Sequence, residues 1–363
     1  MFSIPFRFEA IRIAPNLPII FMQGQRFLLS LSIVTLCISC GHNPLEVDVS
    51  NIQVDFAAKR FDTELYSIQL ESTDSTLQKL YQFSNGFYEP YVEAILQLGP
   101  AAEERTISYL SQFLYYEDTR STQEAIHQVH DPKIEEYNSQ LLEAFKHHRY
   151  HFPGDTIPLV VYMNSGFNTS IFPFDDRYLG IGLDYYLGTD NPITQKLDPQ
   201  IFPVYMREKM RPEYVVSSAV RGWLLVKYAD EYYRSENLLS EILYWGKVMY
   251  VVDALLQGTP DYLKIDYQSI DIEWCIKNER SIWIELQHQE VLFGQKRAEI
   301  DKWVAEGPFT NVGGIPQNSP SRLGVWMGWQ IVRDYMDRNP EVTLKQLLAE
   351  KNHTKILNAY RPG

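Results

Sequence analysis

Cysteine is scarce in this chain. Only Cys37, Cys40 and Cys275 occur in 363 residues. If export removes Cys37 and modifies Cys40, Cys275 stands alone, so no internal disulfide can form and the folded part must rely on its core. Cys275, within the helical pattern IEWCIKNE, reads as a small buried apolar residue. Basic charge is also short. The formal net charge is −13 and no basic stripe is interleaved with aromatics, which argues against nucleic-acid binding. There is no HExxH, no G-x-S-x-G elbow, no P-loop, no internal repeat and no low-complexity tract, so none of these motifs points to zinc, serine or nucleotide chemistry. Neither a cofactor nor a metal is expected. What is present is a globular composition, 45% hydrophobic and 13% aromatic with 22% charged residues, sufficient for a sizeable core.

The amino end carries an export signal. Arg26 precedes FLLSLSIVTLCIS and Cys40, a basic residue followed by an apolar run too short to span a membrane and by small residues. Residues 1–39 therefore read as a signal peptide, with Met22 an alternative start. The stretch Leu36-Cys37-Ile38-Ser39-Cys40-Gly41 resembles a bacterial lipobox, in which Cys40 becomes the acylated first residue and ties the protein to a membrane. It departs from the usual pattern in carrying Cys37 where leucine is common. A plain signal peptide with a chance cysteine is the alternative. Residues 40–50 follow as a lipidated tether. They lack a dense acidic cluster, which points to a domain facing the periplasm.

Residues 51–363 read as one mainly helical α+β domain, helical over 60–150. NIQVDFAAKRFD predicts a strand entering a helix capped by Asp62. IPLVVYM (157–163) and YLGIGLDYYLG (178–188) predict two further strands, with NSGFNTS, including Ser165, as a turn. Long helices are predicted at 212–233, 238–258 and 269–289, and TLKQLLAE forms a short last one. SPSRLGVWMGWQIVRDYM predicts another long helix, with Ser319 as N-cap, Pro320 in the first turn and Asn339-Pro340 as stop. In it Gly324, Gly328, Ile331 and Tyr335 share one stripe and Val325, Trp329, Val332 and Met336 the next. Glycines there would let another backbone approach closely, and Gly246 in YWGKVMY is the candidate opposing surface. Trp326 falls with Gln330, Arg333 and Asp337 on the polar side. With Arg322 it marks a candidate partner interface, unless the preceding loop covers it.

Histidines offer a rival metal reading. His147 and His151 are four apart and His127 and His130 three apart, but both pairs read as surface helix residues.

PEYVV, YWGKVMY, LKIDYQ…IEWCIKNERSIW, GPFT and SPSRLGVWMGWQIVRDYM…NPEVTLKQLLAE together resemble the gliding motility lipoprotein GldB family of the Bacteroidota. The resemblance implies an envelope lipoprotein required for gliding, with other gliding and type IX secretion proteins as partners and the membrane reached through lipid on Cys40. A more distant resemblance, over 155–350, is to zincin-type metallopeptidases, whose HExxH helix would correspond to VVSSAVRGW. The implied scaffold is zincin-like with its metal ligands gone and no catalytic residues. In the vacated place Arg221 and Asp253 would form a buried ion pair, or each would reach water separately. A metallopeptidase with an unusual ligand set and a peptide- or glycan-binding module remain the alternatives.

Overall fold

Two apolar runs lay down most of a small sheet. β1 (Ala58–Arg60) leads into α1 (Phe61–Ser67), and α2 (Asp74–Ser84) follows. The computed structural model describes residues 45–67, 74–232 and 235–363, and the signal peptide, Met22 and Cys40 lie outside them. Next come α3 (Glu104–Tyr115), α4 (Glu117–His130) and α5 (Ile134–His151), then β2 (Leu159–Met163), β3 (Ile171–Phe174) and β4 (Tyr178–Gly182). The sheet order is β1-β2-β4-β3, with β1, β2 and β4 parallel and β3 antiparallel at the edge. The sequence pattern did not reveal β3. Asp175 and Asp176, both at positive φ, turn it tightly into β4, a conformation aspartate tolerates better than most residues.

Side chains alternate across the sheet and so divide the core in two. Val160, Tyr162, Leu179 and Ile181 face a large helical core. Val161, Met163 and Tyr178 face a smaller, aromatic core built on Phe61, Phe87, Tyr88 and Tyr91. The large core is made by α6 (Val215–Lys227), α7 (Leu238–Leu255), α8 (Asp261–Ile265), α9 (Ser269–Gln287), α10 (Arg297–Val304), α11 (Leu323–Arg338), α12 (Leu344–Ala349) and α13 (His353–Leu357). The fold is α+β and mainly helical.

Three local expectations need correction. Asp62 is the second residue of α1 rather than its cap. Its carboxylate takes Arg60 at 2.8 and 2.7 Å and Gln123 at 3.0 Å. The helix predicted over 212–233 begins as a turn at Pro212–Tyr214 and breaks at Tyr228. α11 starts at Leu323, not at Pro320, because Arg322 adopts φ +59°. Thr310 holds that entry: its N–H and hydroxyl donate to Pro320 O at 3.0 and 2.9 Å, and its hydroxyl accepts the Leu323 N–H at 3.1 Å.

Among the described residues α7 and α11 pack against each other most extensively. A β-carbon on Gly328 would stand 1.8 Å from Ile242 O, and one on Gly246 would stand 2.1 Å from Gly328 O. Only glycine permits that approach, and the dispersion contacts it brings offset the roughly 1 kcal/mol cost of glycine inside a helix. Gly324 is looser, with Trp303 O at 3.0 Å from an added β-carbon.

Candidate functional site

α6 presents Ser217, Ser218 and Arg221, and each is already bonded within the fold. Ser217 donates to Tyr214 O at 3.2 Å, and Ser218 donates to Asp266 at 3.0 Å. Arg221 donates to Lys264 O at 2.6 Å and makes a short charged contact with Asp266. Asp266 reaches back because it ends α8 at φ +55°. The expected Arg221–Asp253 pair is therefore overturned: α8 lies between the two groups and supplies each with a different partner.

Asp253 is the centre of a second cluster. It accepts Lys264 Nζ at 2.8 Å, Trp329 Nε1 at 2.8 Å, and Arg333 Nε and Nη2 at 2.8 and 2.9 Å. Arg333 also grips Asp261 at 2.6 and 2.9 Å and lies 3.8 Å over the Trp329 ring. Burial alone would raise the Asp261 carboxyl, but the Arg333 hydrogen bonds and charge, joined by Lys264, hold it below its ordinary range. Burial would lower the Arg333 guanidinium, and its two carboxylates raise it instead. A buried charge with partners on every side holds its neighbours in register. The result is a charged belt linking α6, α7, α8 and α11.

Above Arg221 the belt floors a cleft of about 270 Å³. Ile171, Tyr185, Phe202, Met206 and Leu225 wall it, with Lys209 and Glu306 beside Asp266. Lys209 and Glu306 pair at 2.6 Å, and Arg322 joins Glu306 at 2.8 Å. Close to Phe202, Ile201 and Val204 stand well exposed. The neighbouring edge strand is ill suited to strand addition. Ile171 O already accepts Thr169 Oγ1 at 3.1 Å, and Pro173 has no N–H to give.

The family described as gliding motility protein GldB matches residues 42–362, almost the entire described chain. The chain belongs to the GldB family. Comparison with curated proteins and with solved structures returned no match.

In this GldB chain two expected surface residues are buried. Trp326 is 2% exposed and Arg322 is equally enclosed, so neither marks a partner interface as it stands. α11 is contacted by α9, α10 and α13 in addition to α7, and its first half is enclosed, while Asp337 near its end stays exposed. Arg322 donates to Ile265 O and lies over the Tyr267 ring.

The histidines are also less exposed than their spacing suggested. His130 is buried against Leu183 O at 3.0 Å and Tyr137 at 3.2 Å. His147 is buried beside Gln257 at 3.2 Å, His151 is half-buried, and His127 pairs with Asp131 at 3.1 Å. Among the described residues no three His, Cys, Asp or Glu side chains converge as a metal cage would require. Cys275 is fully buried, and burial pushes its thiol well up.

Two buried acids, Asp184 and Glu241, escaped the sequence reading. Asp184, in GLDYY, accepts Ser165 N–H at 2.9 Å, Ser165 Oγ at 2.8 Å and Phe167 N–H at 2.5 Å. It fixes the NSGFNTS turn. Burial pushes its carboxyl up to about 6 against those hydrogen bonds. The signal was available, since an aspartate in a strongly apolar run needs a partner.

Proposed function

We propose that this protein is a non-catalytic component of the gliding motility apparatus, held to the cell envelope by lipid on Cys40 and acting in assembly of the motility and type IX secretion machinery. The family supports the motility role, and its label, GldB_lipo, supports the lipid anchor. The non-catalytic part of this reading draws on the state of α6. If α6 takes the place of a zincin's ligand helix, two serines and an arginine stand where the ligands would be, all bonded into the fold. Hydroxyls already donating and a guanidinium make no ligand set for a divalent cation. Among the described residues no helix is long and apolar enough to cross a membrane, and in this reading attachment comes from Cys40, with the domain facing the periplasm and other gliding and secretion proteins as partners.

A clean deletion strain tests the assignment. Surface spreading and release of type IX cargo should both be lost and both be restored by the intact gene. Normal spreading with normal release would sink it. The binding-module reading draws on the exposed Ile201 and Val204 beside the cleft. Under it, a Val204→Asp change would reduce spreading while leaving the melting temperature unchanged.

A further inference from the structure

We infer that residues 45–50 are a docked strap rather than a free tether, and that they turn the end of the domain bearing Gln257 and Asp337 towards the lipid bilayer. The inference rests on the lipid-anchor reading for Cys40.

The strap is held at both ends. Leu45 packs against the large core, and its carbonyl accepts Gln257 Nε2. Gln257 is itself fixed at the end of α7, 3.2 Å from His147 on α5. Leu45 and Glu46 line one groove with Tyr250, Asp253, Arg333 and Asp337. Val49 is 3% exposed, and its carbonyl accepts the Ile52 N–H at 2.9 Å. Val54 and Phe56 continue the packing, with Phe56 6.1 Å from the Phe145 ring, and β1 follows. The chain is thus seated on the domain from Leu45 onwards.

Chain length then limits orientation. Five peptide units join Cys40 to Leu45, a span of at most about 17 Å. A domain of this length is about 50 Å across. A point on its surface held within about 17 Å of the bilayer stays on the membrane-facing side. Were the chain free as far as Ala58, the leash would reach about 60 Å and every orientation would be open.

Attraction between this face and lipid does not explain the orientation. Glu46, Asp48 and Asp337 are acidic and exposed, while Lys264 and Arg333 are engaged with Asp253 and Asp261. A face of this sign is repelled by anionic headgroups. The leash sets the geometry. Tyr116, 61% exposed, directly follows α3, whose Leu110 and Leu114 pack in the small core across the sheet from the large core that seats Leu45, and it serves as the distal probe.

The test uses the acylated full-length protein in vesicles of phosphatidylethanolamine and phosphatidylglycerol that contain a nitroxide-headgroup lipid. A fluorophore is placed on Asp337→Cys or on Tyr116→Cys, each in a Cys275→Ala background. Quenching should be several-fold stronger at 337 than at 116. A spacer of about twelve Gly and Ser residues inserted after His42 leaves the fold intact, lengthens the leash by about 40 Å and should abolish the difference. Equal quenching in the unmodified protein, with the protein still floating with vesicles, would overturn the docked strap alone. A difference that survives the spacer would also overturn it, since the face would then bind lipid directly. Failure to float with vesicles would overturn the anchor reading and the orientation together.

Discussion

The joint between α7 and α11 is made by removing side chains, whereas the joint that ties α6 and α8 to this pair is made by adding charge. At the first, Gly246 and Gly328 bring two backbones together with no room for a methyl group. At the second, Arg221, Asp266, Lys264, Asp253, Arg333 and Asp261 connect helices through side chains that each have more than one contact. A backbone contact has a single geometry and cannot adjust. A charged belt can redistribute, but it leaves an expensive residue when one member is lost. The first joint therefore sets position, and the second sets which neighbours α6 and α8 keep.

The largest effect should come from crowding the seam. Gly328→Ala should cost about 4 kcal/mol or more in urea unfolding, since Ile242 O must move with its helix. Gly246→Ala should behave alike. Gly324→Ala should cost about 1 kcal/mol or less, because the methyl nearly fits and helix propensity improves. Equal losses at Gly324 and Gly328 would break the distinction between seam and periphery.

Next comes the belt. Asp253→Ala leaves Lys264, Arg333 and the Trp329 N–H facing one another and should cost about 3–5 kcal/mol. Trp326→Ala should lose about as much, roughly 3–5 kcal/mol, by opening a cavity. If Trp326→Ala leaves the melting temperature unchanged, that side chain belongs to the surface after all.

A smaller effect sharpens the partner assignment. A double-mutant cycle of Arg221→Ala with Asp266→Ala should show a coupling of about 1–3 kcal/mol, and the same cycle with Asp253→Ala, linked to Arg221 only through Lys264, should show a smaller one. The reverse ranking would restore the pairing that the sequence suggested.

The smallest effect is on pH dependence and comes from outside both joints. Burial lowers His130, His148 and His151 to about 4 from an ordinary 6.5. Between those values the unfolded chain binds more protons, so the contribution of these imidazoles is intact above 6.5 and falls as pH drops towards 4. Asp184 acts in the opposite sense. Raised from 3.8 to about 6, it favours the folded state most below 3.8 and loses that contribution as pH rises through 6. These three imidazoles and His147, also lowered by burial, against the raised carboxyls of Asp184 and Asp337 should give a net loss on acidification, read as a lower urea midpoint at pH 4.5 than at pH 7. A rise would show that the carboxyls dominate.

The same two joints show what was legible in advance. Gly324 and Gly328 announce a close approach by spacing alone, because a glycine pair on an apolar stripe has few other uses. β2 and β4 announce themselves as short apolar runs. Partners for Arg221 and Asp253 were not legible. Both needed a counter-charge, but α8, which supplies Asp266 and Lys264, is set by tertiary packing and not by any spacing from α6. Trp326 misled for a related reason. A helical wheel ranks faces by polarity, and the first turns of α11, with Arg322 and Trp326, are enclosed on every side while Asp337 at its far end is not. β3 was hidden because Pro173 interrupts its pattern.

The most direct test of the central claim is surface spreading of a deletion strain complemented with either the intact gene or a Cys40→Ala allele expressed at the same level. A membrane-anchored motility component predicts that the intact gene restores spreading and the Cys40→Ala allele does not. Full spreading with the Cys40→Ala allele would contradict the lipid-anchored account.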